Sequence, residues 1–281
     1  MNIYLECLPC FLRQVLEASK LATENQEIQK RIMKDAAKVI TDFENYRYAP
    51  EVGRVMHSLV KEYTNTDDPY VNIKQENIDG AKEVYPYLKN FLHKKEDRIY
   101  WALKISAVGN VMDAAIYKNI DIKKAVENEL DEEFNICHIK ELKERLKEAK
   151  SILIIGDNSG ETVFDKVLIE ELLDFNIVYA VRSEPIINDA TLKEAKDSGL
   201  DINTKLITTG CNAPGTIIEE CSDEFKEIYE NADIVISKGQ GNYETLSEQD
   251  REIFFLLKAK CPVIATDIGV NVNDYILLRN I

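Results

Sequence analysis

The sequence predicts an α/β protein in two parts, an all-helical N-terminal domain over residues 1–148 and a C-terminal domain over 149–281 built on a mostly parallel sheet. Two observations predict it. Up to about Lys150 the apolar residues recur at intervals of three and four; beyond it they gather into short β-branched runs separated by helical stretches. Repeated strand, helix, strand order implies right-handed crossovers and parallel pairing.

In the first part, Leu8, Phe11, Leu12, Val15 and Leu16 mark one helical face, and Leu103, Ala107, Val111 and Ala115 mark another. Turn formers predict breaks at Tyr48-Ala49-Pro50, at Thr64-Asn65-Thr66-Asp67-Asp68-Pro69 and near Asn119. The charge-laced stretch 139–148 reads as a solvated helix leading into the second part. There, strands are expected at Ser151-Ile152-Leu153-Ile154-Ile155, Ile177-Val178-Tyr179-Ala180-Val181, Leu206-Ile207-Thr208, Ile234-Val235-Ile236 and Val263-Ile264-Ala265, continuous runs suited to strands covered on both faces. Helices are expected around 162–173, 189–196 and 225–231.

Composition narrows function. With 35 Lys+Arg against 50 Asp+Glu the 281-residue chain carries a formal charge of −15, which argues against nucleic acid and anionic membranes as partners. No apolar run approaches the roughly 20 residues that cross a bilayer, and the first residues do not resemble a signal peptide, so a cytoplasmic location is expected. The six cysteines then suggest buried thiols, a metal site or redox chemistry rather than a disulfide scaffold.

Ligands of open parallel sheets bind beyond the carboxyl ends of the strands, where three segments here are unusually polar. They are Gly156-Asp157-Asn158-Ser159-Gly160-Glu161, Arg182-Ser183-Glu184-Pro185-Ile186-Ile187-Asn188-Asp189 and Ser237-Lys238-Gly239-Gln240-Gly241-Asn242-Tyr243. The first resembles a phosphate-binding glycine turn but lacks the third glycine and puts a carboxylate directly after the strand. A carboxylate beside a phosphate is repulsive unless a divalent cation stands between them. Asp157, the amide oxygen of Asn158 and Asp189 are therefore candidate ligands of a hard cation such as Mg2+ or Mn2+. Taken singly, each could instead cap a following helix. Lys238, between Ser237 and Gly239, is a candidate to neutralise a phosphoryl group.

These segments, in this order and with Cys7-Leu8-Pro9-Cys10 near the start, resemble the metal-dependent damage-control phosphatases, formerly domain of unknown function 89, and the cysteine pair resembles their short microbial branch. The resemblance spans essentially the whole chain. It implies a helical domain packed on a Rossmann-like domain, with phosphate monoester hydrolysis at their interface. It further implies a divalent metal ion (Mg2+, Mn2+, Ni2+ or Co2+) on Asp157, Asn158 and Asp189, Lys238 on the phosphate with Asn242 nearby, and Asn110 and Asp113 facing the organic part of a small phosphorylated metabolite. Sugar phosphates or damaged phosphometabolites are the substrates it suggests.

The water-activating base is open between Asp157 and, less favoured, Glu161. One rival makes Asp157 a covalent nucleophile, with Thr208 and Lys238 assisting and Asp267 binding metal; Ser159, where such enzymes carry a second Asp, counts against it. Another is a nucleotide- or metabolite-binding module without catalysis. Cys7 and Cys10 have the spacing of half a zinc site, which Cys137 and His138 could complete only if the chain brings them together; ordinary buried thiols are the simpler expectation. His57 and His93 are expected to serve packing or to be exposed.

Overall fold

The computed structural model describes residues 1–112 and 121–280. Seven strands form one sheet: β1 (Phe134–Cys137), β2 (Ser151–Ile155), β3 (Asn176–Val181), β4 (Lys205–Thr208), β5 (Ile234–Lys238), β6 (Phe254–Lys258) and β7 (Tyr275–Arg279). Their spatial order is β1-β7-β6-β5-β2-β3-β4, and every pairing is parallel except β6 with β7. The chain runs outward from β2 through β3 to β4, then returns to place β5 on the other side of β2. The topological switch point therefore lies between β2 and β5, where following loops diverge and leave a crevice.

Both sheet faces are buried, as the unbroken apolar runs require. Along β2, Ile152 and Ile154 pack into one core and Leu153 and Ile155 into the opposite one. The first core is covered by α4 (Val71–His93), α5 (Arg98–Val108), α6 (Ile122–Asp131) and α8 (Glu161–Ile169); Ile78, Leu103, Val126 and Phe164 all pack there. The second is closed by α10 (Asp223–Asn231), α11 (Gln240–Leu246) and α12 (Pro262–Ile268), which contribute Phe225, Leu246 and Ile264. A third core, around Phe11, Val15, Ile32, Val52 and Met56, joins α1 (Cys7–Ala22), α2 (Gln26–Thr41) and α3 (Ala49–Thr64). Among the described residues, α7 (Ile139–Leu146) and α9 (Leu192–Asp197) are further α-helices.

Three expectations need correction. The first 148 residues are not wholly helical: Phe134-Asn135-Ile136-Cys137 is an edge strand on β7. The run Val263-Ile264-Ala265 lies in α12, because Pro262 at the first helical position, after an extended Cys261, starts a helix there. The strand it displaces is Phe254–Lys258, whose aromatic and leucine residues bury both ways into the sheet. Finally, the change of pattern near residue 148 does not coincide with a break in packing, since α4 to α6 share a core with the strands. The predicted breaks before α3 and between α3 and α4, and the helix at 139–146, match the structure, whereas the break near Asn119 falls outside the described residues. His57 is buried in α3, and burial pushes its imidazole down to about 4, so it is a neutral packing group at ordinary pH.

Candidate active site

The loops after β2 and β3 are laced together by main-chain bonds. The Ser159 N–H donates to the Asn188 carbonyl at 2.8 Å and the Ala190 N–H donates to the Asp157 carbonyl at 2.8 Å, so that Asn158 and Asp189 form an antiparallel bridge. This short ladder places Asp157, Asn158 and Asp189 side by side at the switch point. None of the three caps a helix through its side chain: α8 follows Gly160 with no side-chain cap, and α9 is capped by Thr191.

All three residues are buried yet line one cavity of about 300 Å3. Burial, reinforced by the charges of Asp189 and Glu161, pushes the Asp157 carboxyl well above the usual carboxylate range. Burial raises Asp189 too, against the opposing pull of Arg182. The crevice is thus rich in oxygen donors. Asn158 commits its amide nitrogen to Glu161 Oε1 at 3.2 Å, so oxygen is the atom it can offer a cation.

Arg182, in the loop directly after β3, was not singled out from the sequence. It is 1% exposed, donates from Nε to Asp189 Oδ2 at 2.7 Å and from Nη1 to Thr216 and Asn242, each at 3.0 Å. Its Nη2 lies 3.9 Å from Asp157 Oδ1 and has no hydrogen-bond partner among the described residues. A single guanidinium thereby faces both carboxylates and fixes the rotamer of one of them. Its only sequence signal is its position, an arginine immediately beyond a buried apolar run and between two acidic loops.

Lys238 ends β5 and is 0% exposed. Its ammonium donates to Glu161 Oε2 at 2.8 Å, Asp165 Oδ1 at 2.7 Å and the Ser106 carbonyl at 3.2 Å. Asp165 further accepts from Ser106 Oγ at 2.5 Å and Tyr179 Oη at 2.6 Å. Burial opposes its charge, but Asp165 and Glu161 outweigh it and raise the lysine. The side chain is consequently absent from the cavity wall, and the expected contact with a phosphoryl group is not available to it in this arrangement. Glu161 is likewise enclosed: Lys238, Asn110 (2.8 Å) and Asn158 hold its oxygens, and although burial opposes ionisation, the nearby lysines keep its carboxyl below the usual range.

Asn242 is also buried, clasping the Gly156 carbonyl at 3.1 Å and the Lys238 carbonyl at 2.7 Å through Nδ2. It ties the loop of β2 to the end of β5 instead of facing the cavity. Asn110 meets Glu161 as described, and Asp113 lies outside the described residues. The covalent alternative would need Asp267 at the same site. Asp267 is an exposed residue of α12, bonded by Tyr243 Oη at 2.7 Å, and it does not line the cavity among the described residues.

Among the described residues, the basic side chain that lines the cavity with Asp157, Asn158 and Asp189 is that of Lys260, just beyond β6. Its charge favours the ionised form of Asp157, Glu161 and Asp189 alike. Cys7 and Cys10 line the same cavity with Cys261, and both are half-buried free thiols. His138 instead accepts the Arg279 N–H at 2.8 Å on the β7 side, and no group of three or more His, Cys, Asp or Glu side chains suited to a metal occurs among the described residues. The donor set at the switch point accordingly consists of two carboxylates and one amide.

Comparison with known proteins agrees with this architecture. Residues 3–276 match the family described as the damage-control phosphatase ARMT1-like domain. An uncharacterized protein of Methanocaldococcus jannaschii is 38% identical over 98% of this chain and 94% of its own length. A damage-control phosphatase of Pyrococcus horikoshii is 36% identical over 100% of this chain and 99% of its own. A crystal structure of a DUF89 family protein from the latter organism superposes with a TM-score of 0.92, at 34% identity and with 100% of both chains covered. The chain belongs to the damage-control phosphatase ARMT1-like family, and it is a phosphatase.

Proposed function

We propose that the protein hydrolyses phosphate monoesters of small metabolites with a divalent cation held by Asp157, Asn158 and Asp189. The observation that carries this reading is the pairing of two buried carboxylates with an amide oxygen at the switch point, in a crevice whose burial leaves Asp157 poorly compensated. Three oxygen donors suit Mg2+ or Mn2+, with substrate and water supplying further oxygens. When bound, such an ion acts as a Lewis acid toward a phosphoryl oxygen.

The protein's own residues have separable tasks in this reading. Arg182 sets the orientation of Asp189 and faces Asp157. Lys238 stabilises Glu161 and Asp165 beneath the loop, and Glu161 in turn orients the Asn158 amide. Lys260, on the cavity wall, takes the role of phosphoryl contact first expected of Lys238 and offsets charge developing on the transferred group.

Release of inorganic phosphate from a panel of monoesters, with Mg2+, Mn2+, Ni2+ or Co2+ and then with a chelator, tests the reading. Turnover that needs a divalent ion supports it, and turnover indifferent to the chelator overturns it. Lys260→Met is expected to lower kcat/KM by about 10–100-fold, the scale of one charge-assisted hydrogen bond, without loss of the fold. Kinetics equal to wild type would remove Lys260 from the site.

A further inference from the structure

The loop after β4 sends one side chain, that of Thr216, into the layer behind the switch point. Its hydroxyl forms a fully buried triangle with Arg182 and Asn242. Arg182 Nη1 donates to Thr216 Oγ1 and to Asn242 Oδ1, each at 3.0 Å, which engages both of its protons. The Thr216 hydroxyl in turn donates to Asn242 Oδ1 at 2.8 Å. The Asn242 amide is fixed in this orientation, because its Nδ2 donates to the Gly156 and Lys238 carbonyls.

The guanidinium has two working edges. Nε and Nη2 face Asp189 and Asp157, while Nη1, gripped by Thr216 and Asn242, sets the angle at which they do so. The loop itself does not depend on the Thr216 hydroxyl for its place. The Thr216 N–H donates to Thr245 Oγ1 at 3.0 Å, and a Cβ built on Gly215 would lie 2.7 Å from the Gly241 carbonyl, so the main chain is already wedged against α11. The hydroxyl is therefore left to serve Arg182.

We infer that Thr216 is a positioning residue of the metal site, which holds the Asp189 carboxylate in place through Arg182. This inference rests on the proposal that Asp157, Asn158 and Asp189 bind a divalent cation, and it deepens that proposal. Without the hydroxyl, Nη1 keeps one acceptor instead of two and Asn242 Oδ1 loses a donor, so the guanidinium can turn and Asp189 with it. Removing a group bonded directly to a metal ligand typically weakens metal binding about 10–100-fold. Thr216 stands one contact further out, and its share is correspondingly smaller.

Calorimetric titration of the metal-free protein with Mn2+ tests this, comparing wild type with Thr216→Val, which keeps the shape of the side chain, and Thr216→Ser, which keeps the hydroxyl. Thr216→Val is expected to weaken Mn2+ binding about 3–30-fold, and Thr216→Ser to stay within about twofold of wild type. Phosphate release by Thr216→Val should fall when Mn2+ is limiting and return to within about threefold of wild type when Mn2+ saturates the variant. Thr216→Ala, which lacks the same hydroxyl on a smaller side chain, carries the test if Thr216→Val does not fold. Wild-type affinity in the folded Val or Ala variant overturns the inference, as does a Ser variant as weak as these. A turnover deficit that persists at saturating Mn2+ overturns it too, because the hydroxyl would then act elsewhere than on the metal site. Wild-type protein that binds no Mn2+ overturns the metal proposal itself, and with it this one.

Discussion

Alanine at Gly239 should abolish metal-dependent turnover, by about three orders of magnitude or more, through displacement of Asp157 and the loss of a contact made in the transition state. The glycine follows β5 at φ 78° and ψ 168°, a region that only glycine ordinarily occupies and that costs a residue with a side chain about 1–3 kcal/mol. The steric effect is larger. A Cβ built there would lie 2.0 Å from Asp157 Oδ2 and 2.2 Å from its Cγ, so the carboxylate or the strand end must move. Gly269, in the left-handed helical region at φ 82° and ψ 38° with nothing within 4 Å of a Cβ, provides a control for positive φ without a clash: Gly269→Ala should lose about 1–2 kcal/mol and keep activity. Full activity in Gly239→Ala would show that Asp157 tolerates displacement and is not a fixed ligand.

Lys238→Met is expected to destabilise the fold by about 3–5 kcal/mol, the usual result of removing one partner from a buried ionic cluster. Glu161 and Asp165 are 3% and 0% exposed, and without the ammonium both must be neutralised or hydrated inside the layer between α5, α8 and the sheet. Combining Lys238→Met with Asp165→Asn should recover part of that loss, because one uncompensated charge is removed. Urea unfolding followed by circular dichroism measures both variants. A single variant within about 1 kcal/mol of wild type would contradict the buried cluster and return Lys238 to consideration as a substrate contact.

The contrast between Lys238 and Lys260 shows how far the site was legible in the sequence. Polar segments after apolar runs pointed to Asp157, Asn158 and Asp189, which the fold sets on one cavity wall, because strand ends in a parallel sheet converge on the switch point whatever the loop details. Which lysine reaches the cavity depends on direction, which a linear pattern does not carry: Lys238 is the last residue of its strand and turns into the layer beneath, toward acids on α8. Lys260 was overlooked because its strand was. The strand was assigned to Val263-Ile264-Ala265, which the preceding proline commits to a helix, and Lys260 then fell on no strand end.

The helical half was harder to divide. Amphipathic periodicity marks helices but does not say which core each one joins, and α4 to α6 proved to cover the sheet while α1 to α3 form a core of their own. β1 is four residues long, at an edge and set in a charged stretch, so alternation had little length in which to show. Arg182 and the cavity wall emerge only when distant segments meet. Cys7 and Cys10 illustrate this: the partners offered along the chain, Cys137 and His138, do not line their cavity among the described residues, yet the fold sets both cysteines on the wall that Asp157 shares.

Asp157, Asn158 and Asp189 are proposed to hold a divalent cation at one point. Titration of metal-free protein with Mn2+, followed by calorimetry, addresses it without any substrate. Wild type should bind one ion, and Asp157→Asn and Asp189→Asn should each weaken that binding at least tenfold while remaining folded. Undiminished Mn2+ binding by both folded variants would contradict it.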